Sequence, residues 1–331
     1  MRRIITLFVI LALVMGLCPA ALALSDEDMD AALYEAAQEA MALLDEDMTD
    51  IEKLTVLHDW LCLRCDYGVT PHRDTAYGAV VEGRAVCLGY AAGYAYLATL
   101  AGLDGAVTYS DEMDHAWILT TLDGSRYFSD TTWDDGKKAK LGMIRHSYFL
   151  FDDANAGQTG HYGWDSTESV PGGPLEDIPW ANAQTRVIFQ GDWCWYIDSD
   201  FSLWRCDRQT WQTELLFTVD QTWPVLDDDG QIWAGIYTGL VLMEDRLWFN
   251  TPYNLCSVAL DGTDLQTELH PDTSEGLVYG LGVRDGFLCY SIAAEPDAVL
   301  YDVIQTAIPA ATAWGYGPAA KADEGETGRL A

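Results

Sequence analysis

Apolar positions fall at helical spacing through the first hundred residues, then alternate as strands, and beyond residue 180 come in short runs broken by turn signals. Leu24–Leu44 reads as an acidic amphipathic helix and Asp50–Cys65 as a second one. The stretch Leu88–Leu100 predicts a third, with Tyr90, Tyr94, Leu97 and Ala101 on one stripe and Gly102 as its stop. Gly83 breaks the run before it, so Cys87 falls at or near the helix N-terminus, and Gly89 and Gly93 leave a flat strip for close approach. His115–Leu122 and Ser125–Thr131 flank Asp123-Gly124, a dipeptide that favours a two-residue type I′ hairpin turn. Pairing Leu122 with Ser125 sets Trp117 opposite Asp130 and puts His115 on the same face, diagonal to Asp130. Diagonal neighbours lie roughly 7–8 Å apart by their backbones, which two side chains pointing the same way can span.

The second half changes character after Val170-Pro-Gly-Gly-Pro174. GDWCWYID (191–198) with LWRCDRQTWQTEL (203–215) recurs as EDRLWFN (244–250) with SVALDGTDLQTEL (257–269). The two QTEL tetrapeptides start at Gln212 and Gln266, 54 residues apart. Arg284–Ile292 with Ala298–Val303 reads as a third, degenerate copy, and Asp228–Tyr237 as an extra hairpin. Paired hairpins at this spacing predict propeller-like blades, although three units are few for a closed propeller. Trp193, Trp195, Trp204, Trp211, Trp223, Trp233 and Trp248 offer a platform for carbohydrate or peptide; the core of the blades is the plainer role. The expected organisation is a signal peptide at 1–23, a catalytic domain at 24–169, a linker at 170–180, a β-repeat module at 181–305 and a disordered tail at 306–331.

Charge and cysteine content narrow the function classes. Met1-Arg2-Arg3, an apolar run to Leu17, and Ala21-Leu22-Ala23 read as a secretory leader cleaved after Ala23, too short to span a membrane. A net charge of -34 argues against nucleic acid or an anionic membrane as partner. It fits a soluble secreted or cell-surface protein with a protein, peptide or cell-surface substrate, of oligomeric state not readable from sequence. Eight cysteines become seven once Cys18 leaves, an odd number that suits one reactive thiol with up to three disulfides. Cys62, Cys65 and His58 offer a weak metal face lacking a second ligand pair, so no metal and no cofactor is expected. No pair of acids stands out for glycosidase chemistry, and no G-x-S-x-G occurs.

The remaining chemistry is thiol chemistry. Cys87 at a helix N-terminus meets unpaired amides and the positive dipole end, which favour thiolate. His115 supplies a base and Asp130 an orienting carboxylate. These motifs resemble the transglutaminase-like superfamily of papain-like thiol enzymes, closest to its bacterial secreted and kyphoscoliosis/cytokinesis-peptidase-like members. TAYGAVVEGRAVCLGYA (75–91) resembles the cysteine motif, DHAWILTTLDGSRYFSDTTWDD (114–135) the histidine–aspartate motif, and SYFLFDD (147–153) the segment that follows. EKLTVLHDWLCLRCDYGV (52–69) resembles the helix before the nucleophile, so the likeness covers roughly residues 50–165. Leu88 stands where a polar or acidic residue is common in that family, and Ser129 where an apolar one is. The resemblance implies an α+β papain-like core ahead of the β-module, with Cys87 as nucleophile, His115 as general base and acid, and Asp130 orienting it. Tyr77 is a candidate oxyanion donor or a structural tyrosine, and Trp117 and Trp133 are candidate cleft walls or hairpin packing. The implied function is peptide or carboxamide hydrolysis through a thioester. The alternatives are an amine-transferring cross-linker and a non-catalytic binding or scaffold protein.

Overall fold

A computed structural model describes residues 25–135, 141–165, 178–226, 229–295 and 302–310. The expected leader, most of the expected linker and the chain after residue 310 lie outside the described residues. Helix α1 (Asp26–Met41) starts at a capping box of Ser25 and Asp28, and α2 (Asp50–Arg64) at one of Thr49 and Glu52. Each box satisfies two of the amides that a helix start leaves unpaired. Helix α2 is buried on nearly every side, Leu54, Leu57 and Leu61 being fully enclosed along with His58 and Asp59. Strand β1 (Asp66–Tyr67) pairs in parallel with β2 (Arg84–Ala85), and a π-helical turn (Gly78–Glu82) fills the interval. Gly83 ends that turn at φ 66°, a conformation that favours glycine. Helix α3 (Cys87–Leu100) follows at once and packs against a three-stranded antiparallel sheet of β3 (Asp104–Ser110), β4 (His115–Leu122) and β5 (Ser125–Ser129). Two short helices complete this half, α4 (Thr131–Asp134) and α5 (Asp153–Thr159).

Among the described residues the second half is built of separate antiparallel sheets, none of them closed. Strands β6 (Ile188–Gln190), β7 (Trp193–Ile197), β8 (Ser202–Asp207) and β9 (Thr213–Thr218) form one four-stranded meander. After the hairpin β10 (Trp223–Leu226) and β11 (Ile232–Gly235), a second meander repeats it as β12 (Leu240–Met243), β13 (Arg246–Asn250), β14 (Leu255–Ala259) and β15 (Gln266–Leu269). The 54-residue repeat is thus a real structural unit, each QTEL falling on the fourth strand of its meander. The third unit has three strands, β16 (Leu277–Arg284), β17 (Phe287–Ala293) and β18 (Asp302–Pro309). Its last strand runs later than the expected Ala298–Val303 and takes in residues 306–309 of the expected disordered tail. Ile304 and Ile308 explain the shift, because both pack into the core between the second and third units.

Propeller closure is not what the sheets show. They pack in series: one apolar cluster joins the first meander to the second, and another joins the second to the third sheet. Indole groups tie neighbours, Trp195 donating to Leu260 O at 2.9 Å and Trp223 to Val278 O at 2.7 Å. Trp195, Trp223 and Trp248 are core residues, Trp193, Trp204 and Trp211 are half-buried, and Trp233 is exposed. The first meander also shares a core with the helices, through Val187, Phe189, Cys194, Tyr196 and Cys206. Ile178 and Trp180, at the end of the expected linker, are buried in that same core. The two halves therefore meet in one apolar interior rather than across a free hinge. All seven described cysteines are thiols, with Cys194 and Cys206 opposed across β7 and β8. Among the described residues no helix is long and apolar enough to cross a membrane.

Candidate active site

Val86 is the N-cap of α3 and has no side-chain bond to give, so the first amides of the helix remain available. Its own N–H donates to Arg73 O at 3.0 Å, which fixes the entry to the helix. Gly89 lets that loop close down, since a Cβ there would sit 2.2 Å from Arg73 O. Cys87 is the first helical residue and half-buried, with the His115 ring and the amides of Ala116 and Leu88 near enough to its sulfur to favour the thiolate. Burial pushes the thiol up, but these donors and the His115 charge outweigh it and hold Cys87 below the usual thiol range.

The hairpin takes the register read from sequence, Leu122 opposite Ser125 and Ile118 opposite Ser129. Its turn residues Asp123 and Gly124 have φ of 49° and 79°, as a type I′ turn requires. His115 opens β4 and Asp130 follows β5, so both project from one sheet face. His115 Nε2–H donates to Asp130 Oδ2 at 2.7 Å, which leaves Nδ1 for the sulfur. Burial opposes a charged His115, yet the bonds to Asp130 and Cys87 raise it to about 9. Asp130 is fully buried and N-caps α4, its Oδ1 accepting the amides of Thr132 at 2.9 Å and Trp133 at 3.2 Å. Burial raises its carboxyl, but His115 and His161 bring it below the ordinary value.

His161 is the residue that sequence reading missed. It reaches Asp130 Oδ2 at 3.0 Å through Nε2, on the oxygen that already holds His115. The signal in the sequence is faint: a Gly160 that ends α5 at φ 85° and turns the next side chain inward. Trp133 stacks on His115 at 4.9 Å and 17°, and so walls the imidazole. Trp117 is buried behind it, edge-on to Phe128 and His161. Tyr77 lies half-buried with its ring edge-on to His72 at 5.1 Å, and no hydrogen bond among the described residues brings its hydroxyl to Cys87. Exposed Tyr67, Leu88 and Tyr109 form the outer rim; Tyr67 and Tyr109 both feel the charge of Cys87, and Tyr109 donates to Asp114 at 2.6 Å.

A second polar cluster holds the frame. His58 Nδ1 meets Asp59 Oδ1 at 2.9 Å and its Nε2 meets Asp134 Oδ2 at 3.1 Å. Both nitrogens face carboxylates, so both carry protons; burial opposes this, but the Cys62 sulfur and the two carboxylates raise His58 well above its usual value. His146 Nε2 donates to Asp59 Oδ1 at 2.8 Å, and Val187 N–H donates to Asp59 Oδ2 at 2.8 Å, which couples the helices to the first meander. Asp134 ends the helix that Asp130 begins, and the next residue, Asp135, bonds the Tyr90 hydroxyl on α3. Helix α3 and the Asp130 carboxylate are thereby braced against each other. Cys62 lies 3.8 Å from His58 Nε2 and donates to Thr131 O, while Cys65 turns to Asp66 O. The proposed face of Cys62, Cys65 and His58 does not converge.

Two groups place donor atoms close enough to hold a metal ion, His58 with Asp59 and His146, and His115 with Asp130 and His161. Their spacings within each group are those of N–H···O bonds, which account for the donors without an ion.

No family model and no curated protein matches this chain. Among solved structures, a transglutaminase is similar at 14% identity and a TM-score of 0.27, over 38% of this chain and 37% of that one. An arylamine N-acetyltransferase from Bacillus cereus with a Cys-His-Glu triad is similar at 12% identity and a TM-score of 0.25, over 75% of this chain and 94% of that one. A nidogen/laminin complex is similar at 10% identity and a TM-score of 0.27, over 59% of this chain and 61% of that one. The chain spans little more than a third of the transglutaminase. At such values these likenesses fix neither fold nor activity.

Proposed function

We propose that this chain is a thiol acyl-transfer enzyme of the transglutaminase-like kind, acting as a hydrolase on peptide or carboxamide bonds. The observation that carries this reading is the His115–Asp130 hydrogen bond beside a thiol that starts a helix and that the His115 imidazole holds below the usual thiol range. In this scheme the Cys87 thiolate attacks the carbonyl carbon and forms the C–S bond. The oxyanion is met by the Cys87 amide, an N1 group that has no intrahelical acceptor. As the C–N bond breaks, His115 gives its Nδ1 proton to the departing amine. Neutral His115 then takes a proton from water, the hydroxide attacks the thioester, and the C–S bond breaks to restore thiolate and imidazolium. Asp130 keeps the ring oriented and stabilises its cation.

Water as the final acceptor is supported by the partial exposure of Cys87 and by the resemblance to bacterial secreted relatives. Export through the leader ending at Ala23 belongs to the same reading, with the β-repeat module serving to place the enzyme on a protein or cell-surface substrate. The test is a glutamine-containing peptide incubated with and without a primary amine. Release of ammonia or a peptide fragment independent of amine is expected; product that appears only as an amine conjugate reassigns the chain as a cross-linker. A Cys87 that neither labels below pH 7 nor forms an acyl-enzyme makes it a binding protein.

A further inference from the structure

Asp130 accepts four N–H donors, and one comes from an imidazole that the acyl-transfer scheme leaves idle. His161 is 2% exposed and boxed by aromatic rings, Trp133 at 4.3 Å, Phe151 at 4.7 Å and Trp117 at 4.8 Å. Its Nδ1 is held by Thr159 Oγ1 at 2.8 Å, which fixes the ring so that Nε2 points at Oδ2. An apolar ring would fill the same box without placing a second N–H on the carboxylate oxygen that His115 uses. The titratable groups facing it are Asp130 on α4, His115 on β4 at 5.9 Å between rings, and Tyr148 on the preceding loop at 6.0 Å. Asp152, the buried carboxyl at the head of α5, accepts the Asn155 amide.

We propose that His161 is a positioning residue that sets how strongly Asp130 holds the His115 proton. The proposal rests on the reading of Cys87, His115 and Asp130 as a working triad. Two donors on one oxygen divide its negative charge, so each bond is weaker than it would be alone. Without His161, Oδ2 belongs to His115 only. The imidazolium is then held more tightly, and the Cys87 thiolate beside it persists to lower pH. The carboxylate is also less firmly aimed, which costs turnover.

The experiment measures iodoacetamide labelling of the Cys87 peptide against pH in the full chain, by mass spectrometry. His161→Phe keeps the ring in its box and removes the donor; His161→Gln keeps an N–H. The Phe variant is expected to label with a midpoint about half to one unit below the parent, or about three- to tenfold more thiolate at a pH below both midpoints. The Gln variant is expected to return most of the way. Thr159→Val frees Nδ1 and gives a smaller shift in the same direction, which keeps the test open should the Phe variant fail to fold. A midpoint unmoved or raised in the Phe and Val variants overturns the assignment and leaves His161 as packing. A parent midpoint near that of an ordinary thiol, about 8.5, instead sinks the triad reading itself.

Discussion

Cys62, His58 and Asp134 repeat in the interior the residue types that Cys87, His115 and Asp130 bring together at the cleft. In both sets a thiol approaches an imidazole and the imidazole meets a carboxylate. They differ in what the imidazole has left to offer. His58 spends both nitrogens on carboxylates, so the Cys62 sulfur shares Nε2 with Asp134 and donates to Thr131 O. His115 spends one nitrogen and keeps the other for sulfur. The backbone differs as well. Cys62 sits inside α2, where helical amides are paired within the helix, whereas Cys87 starts α3 beside free amides. Burial drives the Cys62 thiol up to about 12, and Cys87 goes the other way. Residue types alone do not set a thiol's acidity; a spare ring nitrogen and a helix start separate Cys87 from Cys62.

Exchanging the two thiols tests that contrast most sharply. Cys87→Ala is expected to remove all acyl transfer and all labelling near pH 6, with little change in the denaturation midpoint. His115→Ala should raise the Cys87 labelling midpoint toward the ordinary thiol value of about 8.5 and reduce turnover by about 10²–10⁴-fold. Peptide mapping after labelling assigns the modified cysteine. Modification of Cys62 in the native parent below pH 7 would invert the comparison.

The inner cluster should instead govern stability. Asp59→Asn removes the charge that faces His58 and His146 and turns an NH2 either on the two imidazoles or on the Val187 N–H, so a loss of roughly 3–5 kcal/mol in urea denaturation is expected. Burial raises the Asp59 carboxyl, but the charge and hydrogen bonds of His146 and His58 take it down to about 2. A depressed carboxyl contributes stability that is present above its unfolded value, about 3.9, and is lost as pH falls through its folded one. The parent should therefore lose about 2 kcal/mol between about pH 4 and 2 from this group, and the Asn variant should not. An equally steep acid limb in both would assign that loss elsewhere.

Much of the outer site was legible because its determinants are local. Asp123-Gly124 sets the hairpin register, and register parity puts His115 and Asp130 on one face. Gly83 and the stripe from Tyr90 to Leu97 place Cys87 at a helix start. The inner cluster was not legible, because its pairs span 76 residues from His58 to Asp134 and 87 from Asp59 to His146. DTTWDD offers three acids within one turn, and nothing local says that Asp130 faces imidazoles, Asp134 faces His58 and Asp135 faces Tyr90. His161 lies 31 residues beyond its carboxylate, past both α4 and α5. The blade-like repeat was readable from QTEL, whereas closure depends on how sheets pack on one another, which a repeat does not encode.

The smallest effect is also the one that isolates the sulfur. Cys62→Ala removes a buried thiol that donates to Thr131 O and packs beside His58, and leaves every carboxylate–imidazole bond in place. The cost is lost packing and one weak S–H donor, about 1 kcal/mol by denaturation. Because Thr131 follows Asp130 directly, a larger role for this sulfur would show first as a displaced triad carboxylate. The Cys87 labelling midpoint reads that displacement without depending on global stability. An unchanged midpoint alongside a modest stability loss is expected, and it marks Cys62 as filler in a cluster whose strength lies in its carboxylates. A shifted midpoint would mean that the inner thiol helps aim the outer triad, and the two constellations would have to be treated as one.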